Sequence, residues 1–194
     1  MAIEFRDVSA PPLAGFTATA PAGAIIGLIG EKTSGVSELL KLAAGVTQPE
    51  KGEIVAGPER RFVALGEAIN LAPAAVIVLD QALATQDALV RARTLTALDR
   101  LRRAGSTILI ASHDERMLEA LCDEVWWLDA GTLASKGDPR TTLERYRRFV
   151  AECQSLSPED LEKVYVFARS LRKPRVLDAA IAVLEESEGG DGVV

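Results

Sequence analysis

Residues 30–37 read Gly30-Glu31-Lys32-Thr33-Ser34-Gly35-Val36-Ser37, the spacing of a phosphate-cradling loop, G-x-x-x-x-G-K-[ST], with valine in the lysine's place. An apolar run, Ile25-Ile26-Gly27-Leu28-Ile29, leads into it, and Ser37-Glu38-Leu39-Leu40-Lys41-Leu42-Ala43-Ala44 leaves it with helical periodicity until Gly45. Strand, loop and helix follow in the order that gathers backbone N–H groups and a helix N-terminus around phosphate oxygens. In such loops the lysine neutralises the outer phosphates and the Ser/Thr hydroxyl meets Mg²⁺. Val36 brings no charge. A hydrogen bond to a charged group is worth roughly 1.5–3 kcal/mol, so nucleotide affinity is expected to fall by tens of fold, and catalysis further. Lys32, inside the same loop, is a candidate replacement cation, against the plainer reading of a solvated loop lysine.

Working outward, Ile3 to Val8 alternates apolar and polar and Phe16 to Ala20 does so loosely, which predicts a short antiparallel pair at the start of the chain. Ile25 to Ile29, Ala75 to Leu79, Thr107 to Ala111 and Val125 to Leu128 are continuous apolar runs, as in strands covered on both faces. Helical patterns lie over Glu59 to Asn70, Asp87 to Arg103 and Asp114 to Cys122, the second with Leu95, Leu98 and Leu101 inward and the third with Met117, Leu118 and Leu121 inward. The alternation implies an α/β fold with a mostly parallel sheet and its ligands at the C-terminal strand ends. After Gly137-Asp138-Pro139 the pattern is helical only: Thr141 to Gln154, then a capped segment from Ser157-Pro158-Glu159-Asp160 to about Leu171, then Pro174 to Glu186. The expected organisation is a P-loop core over residues 1–138, a helical extension over 139–186 and a glycine-rich tail over 187–194. The apolar faces of the last two helices pack either within the chain or on another one. Trp126 and Trp127, adjacent on a strand, must point to opposite faces, so one is core and the other meets a helix layer or a partner.

Composition bounds the function. A chain of 194 residues with 48% hydrophobic content can bury a substantial core. Its 22 basic and 28 acidic residues leave a net charge of −6, which argues against nucleic-acid binding and confines any phosphate site to local donors. No apolar run reaches the roughly 20 residues of a membrane span, and Met1-Ala2-Ile3-Glu4-Phe5-Arg6 lacks the basic-then-apolar form of a signal peptide. A cytoplasmic location without membrane insertion is the expectation. Cys122 and Cys153 have no CxxC spacing and no second histidine to join them, so they read as reduced, unreactive thiols.

Two further landmarks carry chemistry. Val76-Ile77-Val78-Leu79-Asp80-Gln81 is an apolar strand ending in a carboxylate placed to reach a Mg²⁺ shell. Gln81 stands where hydrolytic relatives place a glutamate; an amide can orient water but cannot hold its proton. The chain's one histidine, His113, follows the strand Thr107 to Ala111 and Ser112, at another C-terminal strand end, where an imidazole can donate to a terminal phosphate.

Together these segments resemble the nucleotide-binding subunits of ABC transporters. The likeness is strongest over Ile108 to Pro139, where Ser112-His113-Asp114, Leu121-Cys122-Asp123-Glu124-Val125, Trp127-Leu128-Asp129-Ala130-Gly131 and Gly137-Asp138-Pro139 look like that family's histidine-switch region. Within the family it is greatest to the ATPase subunits of polysaccharide and teichoic acid exporters. Arg61 to Ile69 looks like the helix after the family signature, and Leu83-Ala84-Thr85-Gln86-Asp87 like its D-loop. The resemblance, over about Met1 to Tyr146, implies a nucleotide site of Gly30, Glu31, Lys32, Thr33, Ser34, Gly35, Val36, Ser37, Glu38 and Asp87. It implies metal ligands Ser37 and Asp80, and a catalytic pair of Gln81 in the glutamate's place and His113 as the switch histidine. It implies ATP or ADP with Mg²⁺, held weakly, and as partners a permease, a second ATPase subunit or another copy of the chain at the inner membrane face.

The departures are as informative. Only 45 positions separate Gly35 from Asp80, too few for the family's helical subdomain. With it go the Q-loop glutamine and the serine-glycine signature; Gly57-Pro58 is at best a vestige. Ala10-Pro11-Pro12 fills the stretch where a tyrosine would stack on adenine. The leading expectation is an ATPase-like binding or regulatory partner with little or no turnover. The alternatives are a small active P-loop ATPase that borrows its cation from Lys32 or a partner chain, and a structural module that binds no nucleotide.

Overall fold

The computed structural model describes residues 3–64, 73–84 and 86–155. Nine strands and four helices are described: β1 (Ile3–Ala10), β2 (Leu13–Ala20), β3 (Ile25–Ile29), α1 (Val36–Ala44), β4 (Lys51–Val55), β5 (Arg60–Val63), β6 (Val76–Asp80), α2 (Ala88–Arg103), β7 (Thr107–Ala111), α3 (Glu115–Leu121), β8 (Glu124–Asp129), β9 (Thr132–Gly137) and α4 (Pro139–Ser155). β2, β1 and β4 form an antiparallel sheet. The larger sheet runs β5-β6-β7-β3-β8-β9, parallel throughout except for β9.

The continuous apolar runs divide their side chains between two cores. Ile26 and Leu28 of β3, Val76 and Val78 of β6, Leu109 of β7 and Trp126 of β8 join the first, which also takes Leu39, Leu40 and Leu42 of α1 and the inward residues of β1 and β2. Ile25 and Ile29, Ile77 and Leu79, Ile108 and Ile110, and Val125 face the other way and meet Leu98 and Leu101 of α2, Leu118 of α3 and Leu143 of α4. This is the period-two alternation of a strand buried on both faces. The tryptophans divide as expected. Trp126 is fully buried, 6.2 Å from Phe5 and 5.9 Å from Phe16 between ring centroids. Trp127 turns to α4, 5.9 Å from Tyr146 and 5.0 Å from Phe149.

Two helix boundaries are set by aspartate caps: Asp87 accepts from Val90 N at 2.9 Å and Asp114 from Met117 N at 3.1 Å. The helix expected over Glu59 to Asn70 is corrected at its start. Arg60–Val63 is a strand, paired in parallel with β6 from Arg60↔Val76 to Val63↔Leu79. Val63 joins the second core and Phe62 packs against the first, a division only an extended backbone allows. Residues 65–70, the helices expected over 157–171 and 174–186, and the tail lie outside the described residues.

β4 passes to β5 through residues 56–59 and β5 to β6 through residues 64–75, leaving no length for a helical subdomain of its own. No helix among the described residues is long and apolar enough to cross a membrane.

Candidate functional site

The loop leaves the central region of the large sheet at the C-terminal end of β3, where strand order places the ends of β7 and β6 beside it. Ser34 N donates to Glu31 O at 2.9 Å, closing the turn, and Gly131 N donates to Ser34 O at 3.1 Å, tying the loop to the β8–β9 turn. Ala14 N donates to Gly131 O at 3.0 Å, so the start of β2 braces the same point. Gly35 has φ 94°, and a Cβ there would lie 2.7 Å from Leu13 Cδ2, so glycine is required. No side chain caps the N-terminus of α1, which leaves the first-turn amides facing outward with the helix dipole behind them, a ready anion site.

The side chains around that backbone are less accommodating. Val36 is half-buried and packs against the first core, so the position that would carry the lysine makes apolar contact with the fold instead. Ser37 is exposed on the first turn of α1. The Glu38 carboxylate turns along the helix, accepting from Thr47 Oγ1 at 2.8 Å and lying 3.9 Å from Lys41 Nζ. Glu31, Lys32 and Thr33 are exposed. Glu31 faces the end of β8 and α4: burial first, and the Glu31 charge second, push Asp129, Tyr146 and Cys153 above their ordinary pKa values, Cys153 to about 11. Burial takes Cys122 to about 12. Both thiols are therefore protonated and poorly nucleophilic at neutral pH.

At the end of β6, Asp80 is half-buried and Gln81 takes up a left-handed backbone, φ 52°, a strained conformation for a non-glycine residue. Gln81 N donates to Ala111 O at 3.1 Å, and Gln81 Nε2 lies 3.2 Å from His113 Nε2. The amide nitrogen can only donate, so this ring nitrogen accepts and is engaged by Gln81. Ser112 Oγ accepts from Asp114 N at 3.0 Å, and Asp114 caps α3. These groups open onto a cleft of about 200 Å³, which Arg91 of α2 and Met117 also line.

The structure thus brings Gln81 and His113 into contact; Asp80 ends β6, the loop follows β3 with β7 between the two strands, and Ser37 lies on the first turn of α1. Asp87 is engaged as the α2 cap. Arg91 was not anticipated; it lines the cleft from α2 beside Asp114, the residue that opens α3, and nothing in its local pattern signals that. Among the described residues no cluster of His, Cys, Asp and Glu could cage a metal alone. Hydroxyl and carboxylate are nonetheless the hard oxygen donors Mg²⁺ takes, and it usually completes its shell with phosphate oxygens and water, so Ser37 and Asp80 fit such an ion only alongside a phosphate ligand.

A parallel sheet with a glycine cradle after its central strand, an aspartate ending β6 and a histidine ending β7 defines a P-loop domain of the ABC ATPase type. No protein-family model matches the chain. The teichoic acids export ATP-binding protein TagH of Bacillus cereus is 25% identical over 205 residues, covering 74% of this chain and 37% of TagH. The maltose/maltodextrin import ATP-binding protein MalK of Escherichia coli is 34% identical over 135 residues, covering 67% of this chain and 35% of MalK. The chain therefore spans little more than a third of the length of these curated relatives. The TagH match runs over more positions than this chain possesses while using 74% of it, so TagH has segments without counterpart here. A solved structure of the ATP-binding subunit of an ABC transporter superposes with a TM-score of 0.62 at 17% identity, covering 84% of this chain and 98% of that one. A nucleotide-free ATP-binding cassette from an ABC transporter gives 0.62 at 12% identity, covering 75% and 94%. The chain is a relative of ABC-transporter ATP-binding subunits and has their fold.

Proposed function

We propose that this chain is an ABC-type domain that recognises nucleotide weakly and does not turn it over, acting as a binding or regulatory partner of an export system of the polysaccharide and teichoic acid kind. The observation that carries this reading is Val36, folded against the first core at the position of the phosphate-neutralising lysine while the backbone cradle around it stays intact. In this reading the backbone of Gly30 to Glu38 holds phosphate oxygens, and Ser37 and Asp80 hold Mg²⁺, which supplies charge neutralisation when bound. Asp87 borders the nucleotide from the start of α2. Gln81 orients water but accepts no proton from it. Its contact with His113 keeps that imidazole beside the terminal-phosphate position.

In the same reading residues 1–138 serve as the nucleotide-binding core, and 139–186, opened by α4, as a C-terminal extension. The partners are a permease, a genuine ATPase subunit or a second copy of this chain, met at the inner face of the membrane. Titration calorimetry with ATP and ADP, with and without Mg²⁺, paired with a phosphate-release assay, tests this. Weak binding with no turnover supports it. Ordinary Mg²⁺-dependent hydrolysis by the pure chain favours an active small ATPase, with Lys32→Ala abolishing the activity; absence of all nucleotide binding favours a structural module.

A further inference from the structure

The cleft beside Gln81 and His113 contains a cation that the phosphate loop does not use. Arg91 lies one turn into α2, and its guanidinium borders the cleft together with Ser112 and His113. Its one ion pair among the described residues is loose, Arg91 Nη1 to Asp114 Oδ2 at 4.0 Å, and both groups are substantially exposed, so the pair is weak and exchangeable. Asp114 Oδ1 is already engaged in capping α3 through Met117 N. Arg91 Nε is buried with no hydrogen-bond partner among the described residues, a state that native structures rarely leave uncompensated. Ser112 Oγ accepts from Asp114 N, and its hydroxyl proton remains for a further acceptor. The cleft, about 200 Å³, has room for a phosphoryl group. It lies at the ends of β6 and β7, next to β3 and its loop, and Ser112 N is 3.4 Å from Leu28 O of β3.

We infer that this cleft is an oxyanion pocket in which Arg91 receives the terminal phosphoryl group of a nucleotide seated on the loop, supplying from α2 the charge that Val36 lacks. The inference rests on the proposed nucleotide reading and names the residue that makes it selective for a triphosphate. A guanidinium suits this task because its N–H fork matches two phosphate oxygens at once. Asp114 holds the fork in place until a stronger acceptor arrives.

Nucleotide affinities of wild type, Arg91→Gln, Arg91→Lys and Asp114→Asn provide the test, with the ring signal of His113, the chain's one histidine, followed by NMR during titration with inorganic pyrophosphate. Wild type should bind ATP about ten-fold more tightly than ADP, the ratio expected of one charge-assisted contact. Arg91→Gln should lose that preference while its ADP affinity stays within about two-fold, because only the terminal phosphoryl contact is removed. Arg91→Lys should keep part of the preference. Asp114→Asn, which preserves the α3 cap, should tighten ATP by releasing Arg91, and it serves if Arg91→Gln proves unstable by circular dichroism. Pyrophosphate should shift the His113 signal in wild type and not in Arg91→Gln. An unchanged ATP preference in Arg91→Gln overturns the inference alone. An Arg91-dependent pyrophosphate shift without nucleotide binding overturns the nucleotide reading and leaves an oxyanion pocket for free phosphate. No shift and no nucleotide binding overturn both.

Discussion

The phosphate loop at the end of β3 and the strand ends of β6 and β7 share one edge of one sheet, yet the first is built from main chain and the second from side chains in contact. The loop keeps its backbone geometry, with a left-handed glycine, an uncapped α1 and a brace from the β8–β9 turn. Around that backbone stand the uncharged Val36, the exposed Lys32 and the carboxylates of Glu31 and the partly buried Asp129, so its side chains add no net positive charge to what the main chain offers a phosphate. The neighbouring strand ends hold an amide in contact with an imidazole, the Asp80 carboxylate and a guanidinium loosely paired with Asp114. The cradle's main chain is fixed by packing against Leu13 and by the bond from Gly131, independently of any one charged side chain.

That contrast can be broken most severely at the brace. Gly131 has φ 80°, and a Cβ there would collide with the Pro12 carbonyl oxygen. Gly131→Ala should therefore cost more than the ~1–2 kcal/mol of a left-handed residue alone, lowering Tm by about 5 °C or more and abolishing nucleotide binding; calorimetric melting and titration read both. Next comes Val36→Lys, which should raise ATP affinity about ten-fold or more while lowering stability by about 1 kcal/mol through the lost apolar contact. Equilibrium denaturation alongside titration separates the two effects.

A smaller effect is expected at Asp129. Burial, reinforced by Glu31, raises its pKa, so the folded state holds the proton more tightly than the unfolded chain does. The stability this contributes is complete below the ordinary aspartate pKa and is lost as pH rises through the raised value. Asp129→Asn should accordingly melt higher than wild type near neutral pH, with the difference vanishing in acid, and should bind ATP slightly more tightly. A difference that persists in acid would assign the effect to packing instead. The smallest effect concerns the thiols: with Cys122 and Cys153 held at about 12 and about 11, alkylation of the native chain near pH 8 should be much slower than of the unfolded chain, as mass spectrometry would show.

Much of this edge was legible from sequence because its signals are local. The glycine spacing of the loop, the apolar run ending in Asp80, the aspartates opening α2 and α3, and the short interval between Gly35 and Asp80 each lie within one segment. What escaped depends on partners distant in the chain. β4 is largely exposed, with no apolar alternation, and exists through its pairing with β1. β5 carries Arg60 and Arg61, reads as helical by itself, and is extended because β6 offers a parallel edge. The contact of Gln81 with His113 joins the ends of two strands, and that of Arg91 with Asp114 joins two helices. No periodicity encodes either. Val36 was legible as a missing charge but not as a residue packed against the core, since a single valine reads the same in both roles.

The central claim is that the cradle binds without cutting. Mg·ATP supplied in excess to the pure chain, with nucleotide occupancy and phosphate release followed in the same sample, tests it most directly. The account predicts measurable, weak occupancy and phosphate release no faster than buffer alone; occupancy accompanied by sustained turnover would contradict it.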